Sequence, residues 1–228
     1  MSSFLKLAER IEDWNAVVQF RIQQAKYFSL RGEWSKAHEM LKPISNILNN
    51  IFDEKTRYHS EAMWLNTLGG VLQRQGKFDE AVDAFQRSAS IEEELGDQRG
   101  QAMVLNSLGG VLQRQGKFDE AMKALQRSLN ISKRRNDKIG LAMTHRMIGK
   151  NLLLTGEKTK AVTELTKSFE INEELKNRYG IGVATPPLID AFLQLDRREQ
   201  AISYCHRALV IAPNNKRLLN MYKQLTGI

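Results

Sequence analysis

Few residues of this chain stand at a spacing that supports covalent or metal chemistry. The four histidines match no metal-ligand spacing. One of them, His206, follows Cys205 directly, but neighbouring residues on a helix point about 100° apart, which argues against a catalytic Cys–His pair. The sequence contains no G-x-x-x-x-G-K-[ST] phosphate loop. We therefore predict a protein that is not an enzyme and that uses neither a cofactor nor a metal ion.

A basic excess is the second feature that could recognise a partner. The 228 residues include 34 lysines and arginines against 26 acidic residues, a net charge of +8. The excess lies after residue 101 and is densest at Lys133, Arg134, Arg135 and Lys138. Cations suit the end of a helix, so this cluster is either a solvated helix terminus or a contact for an acidic partner. The absence of a recognisable nucleic-acid-binding motif argues against a nucleic-acid partner.

No segment predicts a membrane or secreted location. No apolar run approaches the roughly 18 residues of a membrane span, and the N-terminus lacks the apolar region of a secretory signal. The single cysteine fits a reducing compartment. We therefore expect a cytoplasmic protein without membrane contact.

The elements that must position the polar residues come from an internal repeat. The segment LGGVLQRQGKFDEA occurs identically at residues 68–81 and 108–121, within a forty-residue period. A fixed period of 20–50 residues is typical of stacked arrays. Within one period, apolar residues fall twice at helical spacing, on either side of a turn at Gln115-Gly116-Lys117. Each period is therefore predicted to form a hairpin of two helices, A and B.

This pattern closely resembles the tetratricopeptide repeat (TPR). Leu68-Gly69 in helix A, Gly76 at the turn, Phe78 and then Ala81 in helix B match its signature, and the same residue types recur forty residues later. The forty-residue form resembles kinesin light chains, Pins-type scaffolds and, most of all, the C-terminal arrays of bacterial STAND ATPases, including NB-ARC types. The resemblance implies an all-α solenoid, an α-α superhelix of antiparallel helix hairpins.

The resemblance covers nearly the whole chain and divides residues 1–228 into one array. The predicted parts are the end of a truncated helix B (1–13), a degenerate repeat 1 (14–56), repeats 2 to 5 (57–98, 99–138, 139–179 and 180–215) and a C-terminal capping helix (216–228). Pro43 is expected to kink helix B of repeat 1. In repeat 5, Thr185-Pro186-Pro187 predicts either a late start of helix A or a continuous, kinked helix. The start in mid-repeat suggests a fragment, or a chain that follows another domain, with a truncated edge that promotes end-to-end self-association.

The resemblance also implies which side chains face a ligand, because helix A lines the concave groove of such arrays. The implied groove residues are Asn66, Asn106, Arg146, Lys150, Gly70, Gly110, Arg74, Arg114, Gln73 and Gln113. The glycines would leave an open floor, the asparagines could bond both an N–H and a C=O of an extended peptide, and the cations could meet acidic groups. The alternative is a merely solvated polar face. Met63, Met103 and Met143 lie on the same face, either as packing residues or as a flexible recognition strip.

These residues together predict a protein–protein interaction module that binds a peptide or protein segment, with an acidic character, in its concave groove. The STAND resemblance implies the sensor or scaffold part of a larger signalling protein. The alternative is a purely structural scaffold or oligomerisation array with no dedicated groove ligand.

Overall fold

The computed structural model describes residues 3–227, and all its regular elements in this range are helices. They divide between two compact units, Met1–Gln115 and Gly116–Ile228. Unit 1 contains α1 (Ser3–Arg10), α2 (Trp14–Leu30), α3 (Trp34–Leu41), α4 (Ile44–Ile47), a 3₁₀ turn (Leu48–Asn50), α5 (Glu54–Arg74), α6 (Phe78–Glu94) and α7 (Gln98–Arg114). Unit 2 contains α8 (Phe118–Arg134), α9 (Lys138–Leu154), α10 (Lys158–Glu174), α11 (Arg178–Leu193), α12 (Arg198–Ile211) and α13 (Lys216–Thr226).

The helices begin and end at residues that the repeat keeps. The side chain of Asp97 accepts a hydrogen bond from the N–H of Gly100 at 2.9 Å, and Asp137 caps α9 in the same way through Gly140. The turn within a hairpin needs a left-handed residue, which Gly76 supplies with φ 78°. Asp196 holds φ 56° at the corresponding turn between α11 and α12, so here the turn forms without glycine.

Unit 1 has an apolar core in which small residues let helices approach. Phe85 of α6 is buried against α5, and a Cβ at Gly69 would lie 2.8 Å from its ring. Nearer the N-terminus, Val18, Ile22 and Leu41 join α2 and α3 in one cluster. Helix α3 ends at Leu41 and α4 begins after Pro43, so the proline interrupts the helix where a kink was expected.

Unit 2 has a second core, from α8 to α13, in which Phe169 and Phe192 are among the largest buried side chains. Cys205 belongs to this core, and its thiol faces the carbonyl oxygen of Leu218 at 3.6 Å. Helix α13 covers residues 216–225, where the sequence predicts a last helix, and buries Leu218 and Leu225. The cysteine therefore has a packing environment, and burial raises the pKa of its thiol.

Helix α11 corrects one of the two expectations for Thr185-Pro186-Pro187. The helix is continuous from Arg178 to Leu193, so the late start is wrong and the continuous alternative is right. Asn177 caps it by accepting from the N–H of Gly180 at 3.0 Å, well before the prolines. Thr185 does not act as an N-cap, since its hydroxyl donates to the carbonyl oxygen of Ile181 at 2.7 Å.

At the N-terminus, α1 buries Leu5 and Ala8 against Val17, whereas Leu7 and Ile11 are exposed. Residues 1 and 2 of the predicted truncated helix B, and residue 228 of the predicted capping helix, lie outside the described residues. Within residues 3–227, no helix combines the length and the apolar character that crossing a membrane requires.

Candidate functional site

The predicted groove residues of α5 line a cavity in unit 1. Asn66, Gly70 and Arg74 are spaced by four residues, which places them on one face of the helix. This face borders a cavity of about 460 Å³ between α5, α2 and the start of α3. The other lining residues are Lys26, Ser29, Leu30, Trp34, Thr67 and Val71. The volume lies within the roughly 300–1,000 Å³ that is usual for ligand sites.

The floor of this cavity is open at Gly70. A Cβ built at Gly70 would meet no atom within 4 Å, whereas at the preceding Gly69 it would meet the Phe85 ring at 2.8 Å. Glycine in a helix interior is less favourable than alanine by roughly 1 kcal/mol. Close packing against Phe85 explains why position 69 is glycine. It does not explain Gly70, where the missing side chain leaves room for a ligand.

The wall of the cavity combines apolar surface with cations. The guanidinium of Arg74 lies over the ring of Trp34, 5.5 Å from its centroid. Leu30 is 90% exposed at the rim, and Lys26 is exposed beside it. Among residues 3–227, neither Lys26 nor Arg74 forms an ion pair with a carboxylate. Both cations are therefore available to an anionic group of a ligand.

Helix α7, which shares the segment LGGVLQR with α5, presents a different surface. Asn106 and Gln113 are buried, with 4% and 7% exposure, whereas their counterparts Asn66 and Gln73 are half-buried. Gly110 is also half-buried and Arg114 is exposed. Gln73 does not line the α2–α5 cavity. Of the predicted unit 1 residues, the structure thus brings Asn66, Gly70 and Arg74 together.

In unit 2, the predicted residues Arg146 and Lys150 lie one turn apart on α9. Arg146 is half-buried, and burial lowers the pKa of its guanidinium. Within the described part of the chain, no carboxylate pairs with it, and the charge interaction that acts on it comes from Tyr179 at the start of α11. Tyr179 is itself 80% exposed. Arg146 is thus a partly desolvated cation without an anionic partner.

The neighbouring His145, on the same helix, has a carboxylate partner in Glu164. Its Nδ1 donates to Glu164 of α10 at 2.6 Å, and Lys167 donates to the other oxygen of that carboxylate at 2.7 Å. These hydrogen bonds lower the pKa of Glu164 to about 2. The pair joins α9 to α10 and leaves no unpartnered charge, in contrast to Arg146.

The methionines separate into two environments. Met63 packs against the unit 1 core and accepts a weak hydrogen bond from Gln19 at 3.6 Å. Met103 and Met143 are exposed, so the packing interpretation fits Met63 alone. Among residues 3–227, no group of three or more His, Cys, Asp and Glu could hold a metal ion.

The net charge of the chain lies on one set of helices. We call α2, α5, α7, α9 and α11 the A helices. Together they contain eleven basic and three acidic residues, a net charge of +8. This equals the net charge of the whole chain, so the 23 basic and 23 acidic residues outside the A helices cancel. The A helices, of which α5, α7 and α9 carry the predicted groove residues, are therefore the basic part of the molecule.

The cavity-lining residues Thr67 and Val71 of α5 were not among the predicted site residues, and the sequence analysis also missed four residues outside α5: Lys26, Ser29, Leu30 and Trp34. These four residues lie in the degenerate first repeat, which is not forty residues from the next. A signal was present, because aligning Gly32 with Gly76 places Lys26 opposite Gly70 and Leu30 opposite Arg74. The turn glycine would therefore have set the correct register for this repeat.

Helices α6 to α10 have 17 residues each and are joined by left-handed turns, which defines an α-helical repeat array. Two overlapping matches to the tetratricopeptide repeat family model cover residues 60–134 and 100–174, which is half of the chain. The chain belongs to the tetratricopeptide repeat family. The fold of this family is generally a non-catalytic scaffold for binding other proteins. No curated protein sequence matches the chain significantly.

Solved structures of low sequence identity share the fold. A kinesin light chain-like protein with nearly identical TPR-like repeats from Podospora anserina is 16% identical with a TM-score of 0.66, over 88% of this chain and 97% of that one. A STAND protein with a tetratricopeptide repeat sensor from Pyrococcus horikoshii is 16% identical with a TM-score of 0.79, over 97% and 35%. A Rap protein complexed with Competence and Sporulation Factor is 14% identical with a TM-score of 0.78, over 91% and 58%. This chain therefore spans about a third of the STAND protein and somewhat more than half of the Rap protein.

Proposed function

We propose that this protein-interaction scaffold is non-catalytic and binds an extended, acidic segment of another protein along its A helices. The observation that carries the proposal is the location of the net charge. Helices α5, α7 and α9, which carry the predicted groove residues, hold eight basic and two acidic residues, a net charge of +6, and α2 adds two further cations. A surface of one sign attracts a partner of the opposite sign and speeds its association.

Arg146 supports the proposal in unit 2. A guanidinium that is partly desolvated and lacks a carboxylate lowers the stability of the free protein, and a carboxylate from a partner would supply the missing charge. Lys150, one turn further along α9, adds a second cation. We assign Arg146 the role of receiving an acidic side chain.

The cavity of unit 1 supports the proposal independently. Gly70 leaves space at the floor, and Asn66 offers both a donor and an acceptor for the main chain of an extended segment. Lys26 and Arg74 place cations at the rim. Asn106, Gly110, Arg114, Gln73 and Gln113 remain predicted contacts, with Arg114 the most accessible of the five.

Two of the structural neighbours support a signalling role. The STAND protein has a tetratricopeptide repeat sensor, and the Rap protein was crystallised with Competence and Sporulation Factor. We infer that this chain acts as the sensor or scaffold part of a signalling protein, where ligand binding to the array is the input.

The experiment is a selection from a displayed library of random twelve-residue peptides, followed by fluorescence anisotropy with the tightest binder. The expected binders are enriched in Asp and Glu, and their affinity falls as salt rises. Arg146→Gln should weaken binding by roughly 10-fold or more, the usual effect of losing a charge-assisted hydrogen bond.

Arg197→Gln is the matched control, because Arg197 is an exposed cation outside the A helices and outside the basic cluster at residues 133–138, and its loss changes the net charge equally. It should change affinity by less than about 2-fold. A library with no binders, or binders without acidic enrichment, would refute the proposal. Equal effects of the two substitutions would show that net charge, and not Arg146, is recognised.

A further inference from the structure

We propose that the junction between α6 and α7 is a pH-sensitive joint, in which ionisation of Glu92 beside Asp97 loosens the attachment of α7. This inference concerns regulation and does not depend on the identity of any ligand.

The two carboxyl groups are crowded together at the start of α7. Glu92 is only 5% exposed, and its Oε2 has no hydrogen-bond partner among the residues that the structure describes. Asp97 caps α7 through its Oδ1. A Cβ at Gly100 would lie 2.8 Å from both Glu92 Oε1 and Asp97 Oδ2, so both carboxyl groups press on the same glycine. Two adjacent carboxylates with so little water cannot both ionise without cost.

The corresponding junctions of unit 2 avoid this conflict with neutral side chains. Between α8 and α9, the residue facing Asp137 is Ser132, which also lies against a glycine, Gly140. Between α10 and α11, Asn177 donates from Nδ2 to Asn172 Oδ1 at 2.9 Å. Only a proton can make Glu92 the equivalent of these neutral groups, so unit 1 holds an acid where the repeat otherwise uses a hydroxyl or an amide.

Among residues 3–227, no cation forms an ion pair with Glu92. At the start of α7, the charge of the N-cap Asp97 raises the energy of ionised Glu92 further, and Arg99 in the first turn of α7 is exposed. On α5, Ser88 of α6 contacts Ala62, so the turn before Ala62 faces Glu92, and its titratable groups are Tyr58, the exposed His59 and Glu61. Of the nearby arginines, Arg57 pairs with Glu54, and Arg87 pairs with Glu61. The following α6 residues Glu93 and Glu94 are exposed.

The direction of the response follows from linkage. Burial, and then the charge of Asp97, raise the pKa of Glu92 to about 7 from 4.5. The closed junction therefore holds a proton that an open junction releases. Its stabilisation is complete below pH 4.5 and is lost as the pH rises through 7. The protein should thus hold α7 firmly in mildly acidic solution and more loosely above neutrality.

Hydrogen exchange of the backbone tests the joint with a control inside the same molecule. The N–H of Gln101 donates to the Asp97 carbonyl at 2.9 Å, and the N–H of Leu141 donates to the Asp137 carbonyl at 2.8 Å. After correction for intrinsic rates, the opening equilibrium at Gln101 should rise about 10-fold between pH 6 and pH 8. Leu141, next to Ser132, should show no such rise.

Two variants remove the titrating group while keeping the fold. Glu92→Gln preserves shape, and Glu92→Asn copies the junction of α10 and α11; both should abolish the rise at Gln101 and protect it at pH 8. The proposal is overturned if Gln101 and Leu141 respond equally to pH, or if either folded variant keeps the 10-fold response.

Discussion

Alanine substitutions at the adjacent glycines of α5 test whether Gly69 is needed for packing and Gly70 is not. Gly69→Ala places a Cβ 2.8 Å from one atom of the Phe85 ring and 3.0 Å from two others. Gly70→Ala places its Cβ in open space. Because the two substitutions are chemically identical and adjacent in one helix, their difference isolates the effect of the surroundings.

The magnitudes follow from two opposing effects. Alanine in place of a helix-interior glycine is favourable by about 0.5–1 kcal/mol, so Gly70→Ala should raise the free energy of unfolding by that amount. Gly69→Ala gains the same but overpacks a buried ring, which costs about 1–3 kcal/mol. The two variants should therefore differ by about 1–3 kcal/mol, with Gly69→Ala the less stable.

Urea unfolding followed by circular dichroism measures this difference in stability. Binding of the selected peptide measures the role of Gly70 at the floor of the cavity. Gly69→Ala combined with Phe85→Leu should recover stability, because the smaller side chain gives the new methyl group room. Gly70→Leu should keep the fold but fill the cavity floor and weaken binding of the selected peptide. The reasoning is refuted if both alanine variants are equally stable, or if Gly70→Ala is the destabilised one.

Three further predictions concern single side chains. Glu164 has its pKa lowered to about 2 from 4.5, so the hydrogen bonds that join its carboxylate to His145 and Lys167 stabilise the protein above pH 4.5, and this contribution, at most roughly 3 kcal/mol, disappears as the pH falls through 2; Glu164→Gln should flatten the acid limb of a stability–pH curve, and an unchanged limb would contradict this. Arg146→Met should stabilise the ligand-free protein, by up to about 1 kcal/mol in urea unfolding, while abolishing binding of the acidic peptide; a less stable variant would mean that Arg146 is a structural residue. Asp196→Gly should raise stability by about 0.5–1 kcal/mol in thermal unfolding, because φ 56° is strained for an aspartate; a lower melting temperature would indicate that the carboxylate makes a compensating contact.

The sequence was sufficient for the helical repeat because its signals are local. Apolar spacing, turn glycines and capping residues act within a few positions, and the observed helices α7 and α9 begin directly after Asp97 and Asp137. The start of α11 was harder to predict, since Thr185-Pro186 imitates a helix start that Asn177 had already provided. There the continuous helix depends on the surrounding core, which no local pattern reveals.

The candidate site could be predicted only in part, because exposure depends on neighbours. Asn66 and Asn106 occupy the same position of the repeat, two residues before the identical segments, yet one lines a cavity and the other is buried. Lys26 and Leu30 complete that cavity from a repeat whose spacing departs from forty residues. The missing carboxylate beside Arg146 is likewise a property of the folded chain that residue spacing cannot show.

The duplicated segment contains residues that every hairpin needs for packing and one glycine, Gly70, that it does not need. Copying LGGVLQRQGKFDEA preserves what every hairpin needs: a small residue beneath the ring, as at Gly69, and a left-handed turn, as at Gly76. Gly70 meets no such need, since a Cβ there would contact nothing within 4 Å. In unit 2, Arg146 is a half-buried cation that no carboxylate of residues 3–227 neutralises. An open floor in one unit and an unsatisfied charge in the other are both deficits of the free protein, and a single kind of partner, an extended acidic segment, would remove both.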